Sequence, residues 1–145
     1  MNFEQSVVIS APRDVLFSLT QDYARRLEWD PFLKSAALVG GATHAAVGVR
    51  ALCVAHNGMG METEYVSFNP PRVTAVKMTR GPWVIAQFAG SWRFEEVGDG
   101  KTRVTFEYHL RARPGVLTPL VGWVFGRDTR RRLEALKHAV ESKEH

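Results

Sequence analysis

Residues 90–110, GSWRFEEVGDGKTRVTFEYHL, alternate apolar and polar positions on both sides of a glycine-rich turn. Trp92 and Phe94 share one face of the first arm, and Val104, Phe106, Tyr108 and Leu110 share one face of the second. Arg93, Glu95, Arg103, Glu107 and His109 take the opposite faces. Period-two alternation broken by Gly98-Asp99-Gly100 predicts a hairpin with a buried aromatic side and a wet, charged side. The same signal runs upstream. FEQSVVIS (3–10) predicts a first strand, and further strands are expected over 35–40, 47–56, 60–68, 72–79, 84–96 and 102–112. Gly40-Gly41, Asn57-Gly58, Asn69-Pro70-Pro71 and Gly81-Pro82 punctuate them. Asn57-Gly58 reads as a tight turn, because both residues tolerate positive φ. Strands joined by such short turns pair antiparallel.

Helical spacing appears in two places. APRDVLFSLTQD carries Pro12 in a first turn and Val15, Leu16 and Leu19 on one face, and YARRLEWDPFL predicts a second short helix that stops before Pro31. Beyond Pro114-Gly115, Leu117, Val121, Phe125, Thr129, Leu133, Leu136 and Val140 form one stripe of a long helix. Its first half is apolar nearly all round, through Leu120, Trp123 and Val124. The order is strand, two short helices, six strands, long helix. This predicts an α+β fold in which a curved antiparallel sheet of about seven strands wraps around the C-terminal helix. Residues 1–145 read as a single domain. The hairpin aromatics are expected to face the long helix, with Trp29 and Phe32 near one end of the sheet.

Composition narrows the chemistry. The chain has 145 residues, 45% hydrophobic and 23% charged, as in a globular protein. Its 19 basic and 15 acidic residues make it mildly basic, which without a clustered patch is no nucleic-acid signature. Cys53 is the only cysteine, which excludes an internal disulfide and a thiolate metal cluster. The five histidines show no ligand-like spacing, and neither a phosphate-binding glycine loop nor a serine nucleophile elbow is present. No metal or cofactor is therefore expected. No signal peptide or membrane-length apolar run is found, so a cytoplasmic location is expected.

Several motifs resemble the polyketide cyclase/dehydrase-like branch of the START-like (SRPBCC) superfamily, the helix-grip fold. They are Ile9-Ser10-Ala11-Pro12 before the first helix, Trp29-Asp30-Pro31, Pro70-Pro71-Arg72 closing a strand, and the hairpin residues Trp92, Phe94, Gly100, Thr102 and Val104. The resemblance covers essentially the whole chain. It implies an elongated cavity between sheet and long helix; members include lipid and sterol carriers, hormone receptors, aromatic polyketide cyclases and quinone-binding proteins. Fold analogy does not choose among them.

Strand parity suggests the cavity lining. The inward set is Val49, Ala51 and Cys53, then Met61, Thr63 and Tyr65, then Thr74, Val76 and Met78, then Phe88, Trp92, Phe106 and Tyr108. Val121 and Phe125 from the helix and Trp29 from a loop complete it. The list holds no His, Asp or Glu, so binding or carriage of a hydrophobic small molecule (a lipid, quinone or polyketide-like aromatic) is the leading expectation. An aromatase/cyclase or dehydratase is the alternative, with Tyr108, His56 and Asp30 as candidate proton-transfer groups. A third reading is a membrane-proximal quinone or lipid chaperone. Leu120, Trp123 and Val124 beside Arg127, Arg130, Arg131 and Arg132 suit either an anionic bilayer surface or a second copy of the chain.

Overall fold

A computed structural model of the protein describes residues 1–142. Strand β1 (Asn2–Ile9) leads into helix α1 (Arg13–Gln21). Strands β2 (Leu33–Leu38), β3 (Arg50–Ala55), β4 (Gly60–Asn69), β5 (Val73–Arg80), β6 (Ile85–Gly98) and β7 (Lys101–Ala112) follow, and helix α2 (Thr118–Ser142) closes the chain. The strands form one antiparallel sheet in the order β1-β7-β6-β5-β4-β3-β2. Strands β2 to β7 are a meander, and β1 returns to pair with β7, Phe3 opposite Tyr108 and Ile9 opposite Thr102. The sheet curls about α2 in the helix-grip arrangement. No helix among the described residues is long and apolar enough to cross a membrane.

The aromatics of β6 and β7 form a continuous row across the concave face. Phe17 of α1 meets Phe94 edge-on at 5.4 Å, Trp92 stacks on Phe94 at 6.1 Å, and Phe106 meets Trp92 at 5.1 Å. Phe106 contacts Tyr108 at 5.8 Å, and Tyr108 contacts Phe125 of α2 at 5.0 Å. The row therefore spans both helices. Offset and edge-on geometries of this kind add to the area that the rings bury.

Four local expectations change. The helix expected over 23–33 is a single 3-10 turn, Arg26–Glu28. An Asp22 turn, in which Asp22 accepts the Ala24 N–H at 3.1 Å, and Pro31 bracket it and leave no room for more. Strand β2 ends before Gly40-Gly41, and β3 begins only at Arg50, after Gly48. At Asn57-Gly58 only Gly58 takes positive φ (+88°), while the Asn57 side chain accepts the Met59 N–H at 2.9 Å. Part of the 116–145 helix stretch, residues 143–145, lies outside the described residues.

The fourth change matters most. In the second half of α2 the buried face is the expected one, with Thr129, Leu133, Leu136 and Val140. In the first half it is Thr118, Gly122 and Gly126, while Val121 and Phe125 are only half-buried. The two glycines let the helix lie directly on β1 and β7. A methyl group at Gly122 would run into the Phe3 ring, and one at Gly126 would sit 3.1 Å from the Tyr108 hydroxyl. Tyr108 Oη donates to the Gly122 carbonyl at 3.0 Å and fixes the contact. Further along, Lys137 Nζ donates to Val8 O at 2.7 Å, and Glu141 accepts the Ser10 N–H at 2.9 Å. Replacing Gly122 with Ala should displace Phe3 and destabilise the protein by about 1–3 kcal/mol, measured by chemical denaturation, because the site has no room for an added methyl.

Candidate functional site

Because α2 packs on β1 and β7, the concave face from β3 to β6 stays partly uncovered and faces a cavity of about 420 Å³. The sheet contributes Cys53, Met61, Thr63, Tyr65, Val76, Phe88, Trp92 and Phe106 to its wall, and α2 contributes Val121, Phe125, Thr129 and Arg132. The exposed residues along the lining are Asn57, Met59, Leu120 and Val124, so the mouth lies between the β3–β4 turn and the start of α2. This volume lies within the ~300–1,000 Å³ range of small-molecule sites.

The end opposite the mouth is polar. Tyr65 Oη donates to Gln21 Oε1 at 2.7 Å and lies 3.1 Å from Tyr23 Oη. Since the single Tyr65 proton goes to Gln21, the Tyr23 hydroxyl is the donor in that second bond. Gln21 passes the chain on through its Nε2 to Thr20 Oγ1 at 2.9 Å, and Thr20 donates to Leu16 O at 2.9 Å. Beside this cluster lies a charged one. Asp30 Oδ2 accepts from Arg26 Nε at 2.9 Å, and Asp30 Oδ1 accepts the Phe32 N–H at 3.0 Å. Arg132 comes in from α2, its Nε 3.4 Å from Asp30 Oδ2 and its Cζ 4.7 Å over the Phe32 ring.

The two arginines differ. Arg26 lies over Trp29 at 4.8 Å and donates to Thr20 O as well as to Asp30. Burial works against its charge, but Asp30, Tyr23 and Cys53 together outweigh that and hold its pKa above the usual value. For Arg132 burial wins, and its pKa is lowered. Its Nε has no hydrogen-bond partner among the described residues. A carboxylate, Asp128, lies on the lining one turn earlier in α2 and is half-buried. Burial raises the Tyr23 and Tyr65 phenols and the Cys53 thiol, so all three stay protonated at neutral pH.

Ten of the thirteen expected ligand-contacting residues meet here: Cys53, Met61, Thr63, Tyr65, Val76, Phe88, Trp92, Phe106, Val121 and Phe125. Three do not. Trp29 is buried behind the wall, edge-on to Trp92 at 6.3 Å and covered by Arg26. Met78 sits near the end of β5 with its sulfur against Gly81. Tyr108 is enclosed between Phe3 at 5.1 Å and Phe125, with its hydroxyl turned to α2. Nor does any of the three proton-transfer candidates reach the lining. His56 is exposed in the β3–β4 turn, Tyr108 is structural, and Asp30 is sealed beneath the arginines. Arg132, grouped by sequence with the surface run Arg127, Arg130 and Arg131, turns inward instead. Gln21, Tyr23, Arg26, Asn57, Asp128, Thr129 and Arg132 are the polar lining residues that the expected set missed. The i,i+4 spacing of Arg26 and Asp30 was the available signal for that ion pair.

Removing the Asp30 carboxylate would leave two buried guanidinium groups facing each other. Asp30→Ala should therefore destabilise the fold by about 3–5 kcal/mol in denaturant titrations. A pH prediction follows from the phenols. All three tyrosines are raised by burial, Tyr108 to about 12. The unfolded chain releases these protons from about pH 10, so the native state binds more protons there and stability falls as pH rises further. Phenolate absorbance should appear together with loss of near-ultraviolet circular dichroism, and not before it.

Comparison with known proteins gives the same architecture. No curated protein sequence matches the chain. Among solved structures, the Zhui aromatase/cyclase from a Streptomyces species superposes with a TM-score of 0.85 at 15% identity, covering 100% of this chain and 96% of that one. A START superfamily protein from Mycobacterium smegmatis gives 0.82 at 14% identity, covering 97% of each chain. The di-domain ARO/CYC BexL of the BE-7585A biosynthetic pathway gives 0.80 at 19% identity, with 97% of this chain on 46% of that one. The present chain thus spans about half the length of BexL. Identities this low speak for the fold alone. The sequence itself goes further: the model of the family described as polyketide cyclase / dehydrase and lipid transport matches residues 1–141, and the chain belongs to that family.

Proposed function

We propose that the protein binds and carries an amphipathic small molecule, with its apolar body in the cavity and its polar head at the Arg132 end. The observation that carries this reading is the Arg132 guanidinium on the lining, opposite the mouth of a pocket whose middle is walled by Phe88, Trp92, Phe106, Val121 and Phe125. A carbonyl, carboxylate or sulfonate oxygen would be received by this cation through a charge-assisted hydrogen bond. The apolar walls contribute about 25 cal/mol for each Å² of ligand surface taken from water. Tyr23 and Tyr65, protonated at neutral pH, serve as positioning hydroxyls.

Carriage is favoured over turnover by the state of the lining groups. The phenols and the thiol are raised by burial and cannot accept a proton at neutral pH. One observation supports a cyclase-type reading, the Asp128 carboxylate on the lining. If turnover on a poly-β-ketone were found and Asp128→Asn abolished it with binding intact, that second reading would replace the first.

Binding is tested with two fluorescent probes of similar size, an anilinonaphthalene sulfonate and a neutral phenylnaphthylamine. Both should bind saturably, and Val76→Trp, which fills the cavity from β5, should weaken both by at least about tenfold, some 1.4 kcal/mol. Arg132→Gln should weaken the sulfonate by a similar factor and leave the neutral probe unchanged. Unaltered binding of both probes in Val76→Trp would remove the cavity from consideration. Native mass spectrometry of the freshly purified protein, followed by solvent extraction, then identifies the resident molecule.

A further inference from the structure

The mouth of the cavity is set in an apolar surface drawn from three separate segments. Met59 comes from the β3–β4 turn and is 44% exposed, Trp83 from the β5–β6 loop is 71% exposed, and Val116, Leu120 and Trp123 around the start of α2 are 82%, 59% and 62% exposed. Leu120 and Met59 also line the cavity, so this surface is continuous with its interior. Each exposed tryptophan carries an arginine. Arg113 lies 5.7 Å from the Trp83 ring and donates to the Trp83 carbonyl at 2.9 Å, and Arg127 lies 5.6 Å from the Trp123 ring. Residues 111–131 contain Arg111, Arg113, Arg127, Arg130 and Arg131 against one acid, Asp128, while Arg132 turns into the cavity.

We propose that this face docks on an anionic lipid surface, so that the cavity opens toward the bilayer. Tryptophan with neighbouring arginine is suited to the boundary between headgroups and acyl chains, where the ring enters and the cation stays with phosphate. Charge decides between a bilayer and a second copy of the chain. A two-fold dimer sets the same patch against itself, and here that would bring Arg113 and Arg127 toward their own counterparts with one half-buried acid to offset them. An anionic bilayer meets the same arginines with opposite charge. The docking does not depend on what the cavity holds.

The fluorescence of the protein provides a direct test. Of its four tryptophans, Trp29 and Trp92 are buried, while Trp83 and Trp123 are exposed on this face. Vesicles of phosphatidylcholine containing phosphatidylglycerol should shift the emission to the blue and co-sediment the protein, with partitioning about tenfold or more above that on phosphatidylcholine alone. The double variant Trp83→Ala/Trp123→Ala should lose both signals while its thermal unfolding, followed by circular dichroism, stays unchanged. Arg113→Gln/Arg127→Gln should abolish the preference for anionic vesicles. Absence of binding to anionic vesicles overturns the proposal. So does a stable dimer in sedimentation equilibrium that dissociates in the tryptophan double variant.

Discussion

The contact between the glycine face of α2 and the β1–β7 edge determines where everything else lies. A helix carrying side chains at 122 and 126 would stand further from the sheet, and Phe3 and Tyr108 could not occupy their present places beneath it. Close approach on that side tilts the problem of cover to the other. The strands from β3 to β6 are left facing Val121, Phe125, Thr129 and Arg132 across a gap, and that gap is the cavity. Interiors normally close to crystal-like density, so an opening of this size in a small protein requires a cause. Here the cause is a helix held at one edge of a curved sheet by two glycines and one phenolic hydrogen bond.

The polar end is constrained by a different rule. Arg26 and Asp30 are tolerated inside because each is hydrogen-bonded, Asp30 through both of its oxygens. Arg132 is the exception in that set, since Asp30 is already occupied when Arg132 reaches it at 3.4 Å. The protein thus places at the end of a largely apolar cavity a cation whose Nε lacks a hydrogen-bond partner among the described residues. Replacing the trio by apolar residues of similar volume is often neutral or favourable for stability. Stability alone therefore does not call for the three charges.

Much of this was legible in the sequence. Strand alternation located all seven strands and most of the lining, because a period of two places Cys53, Met61, Thr63, Tyr65, Val76, Phe88, Trp92 and Phe106 on one face without knowledge of the turns between them. What parity cannot tell is which part of a buried face is filled. Tyr108 and Met78 have the inward parity, yet one is covered by α2 and the other lies near a strand end. Trp29 is expected to complete the wall near one end of the sheet, but it lies behind the wall as packing for Arg26 and Trp92. The helix misled for a related reason. Its apolar stripe was read as the face against the sheet, whereas glycines, invisible to a hydrophobic pattern, mark the close contact in the first half. Counting along the helix from Val121 to Phe125, Asp128 and Arg132 in steps of four, three and four puts Arg132 on the cavity side. Its membership in a run of three consecutive arginines concealed that phase.

The two ends of the cavity impose a direction on any ligand. At the mouth Leu120, Val124 and Met59 are apolar and Asn57 is polar, while Arg132 and the tyrosine hydroxyls lie at the opposite end. A polar head bound for Arg132 and the tyrosine hydroxyls would pass the apolar side chains of Phe88, Val121 and Phe125 on its way. In water that crossing costs the hydration of the head, by an amount that grows with its charge. Carbonyl and quinone-like heads cross more cheaply than a sulfate or phosphate, whereas a fully charged head gains most once it has arrived.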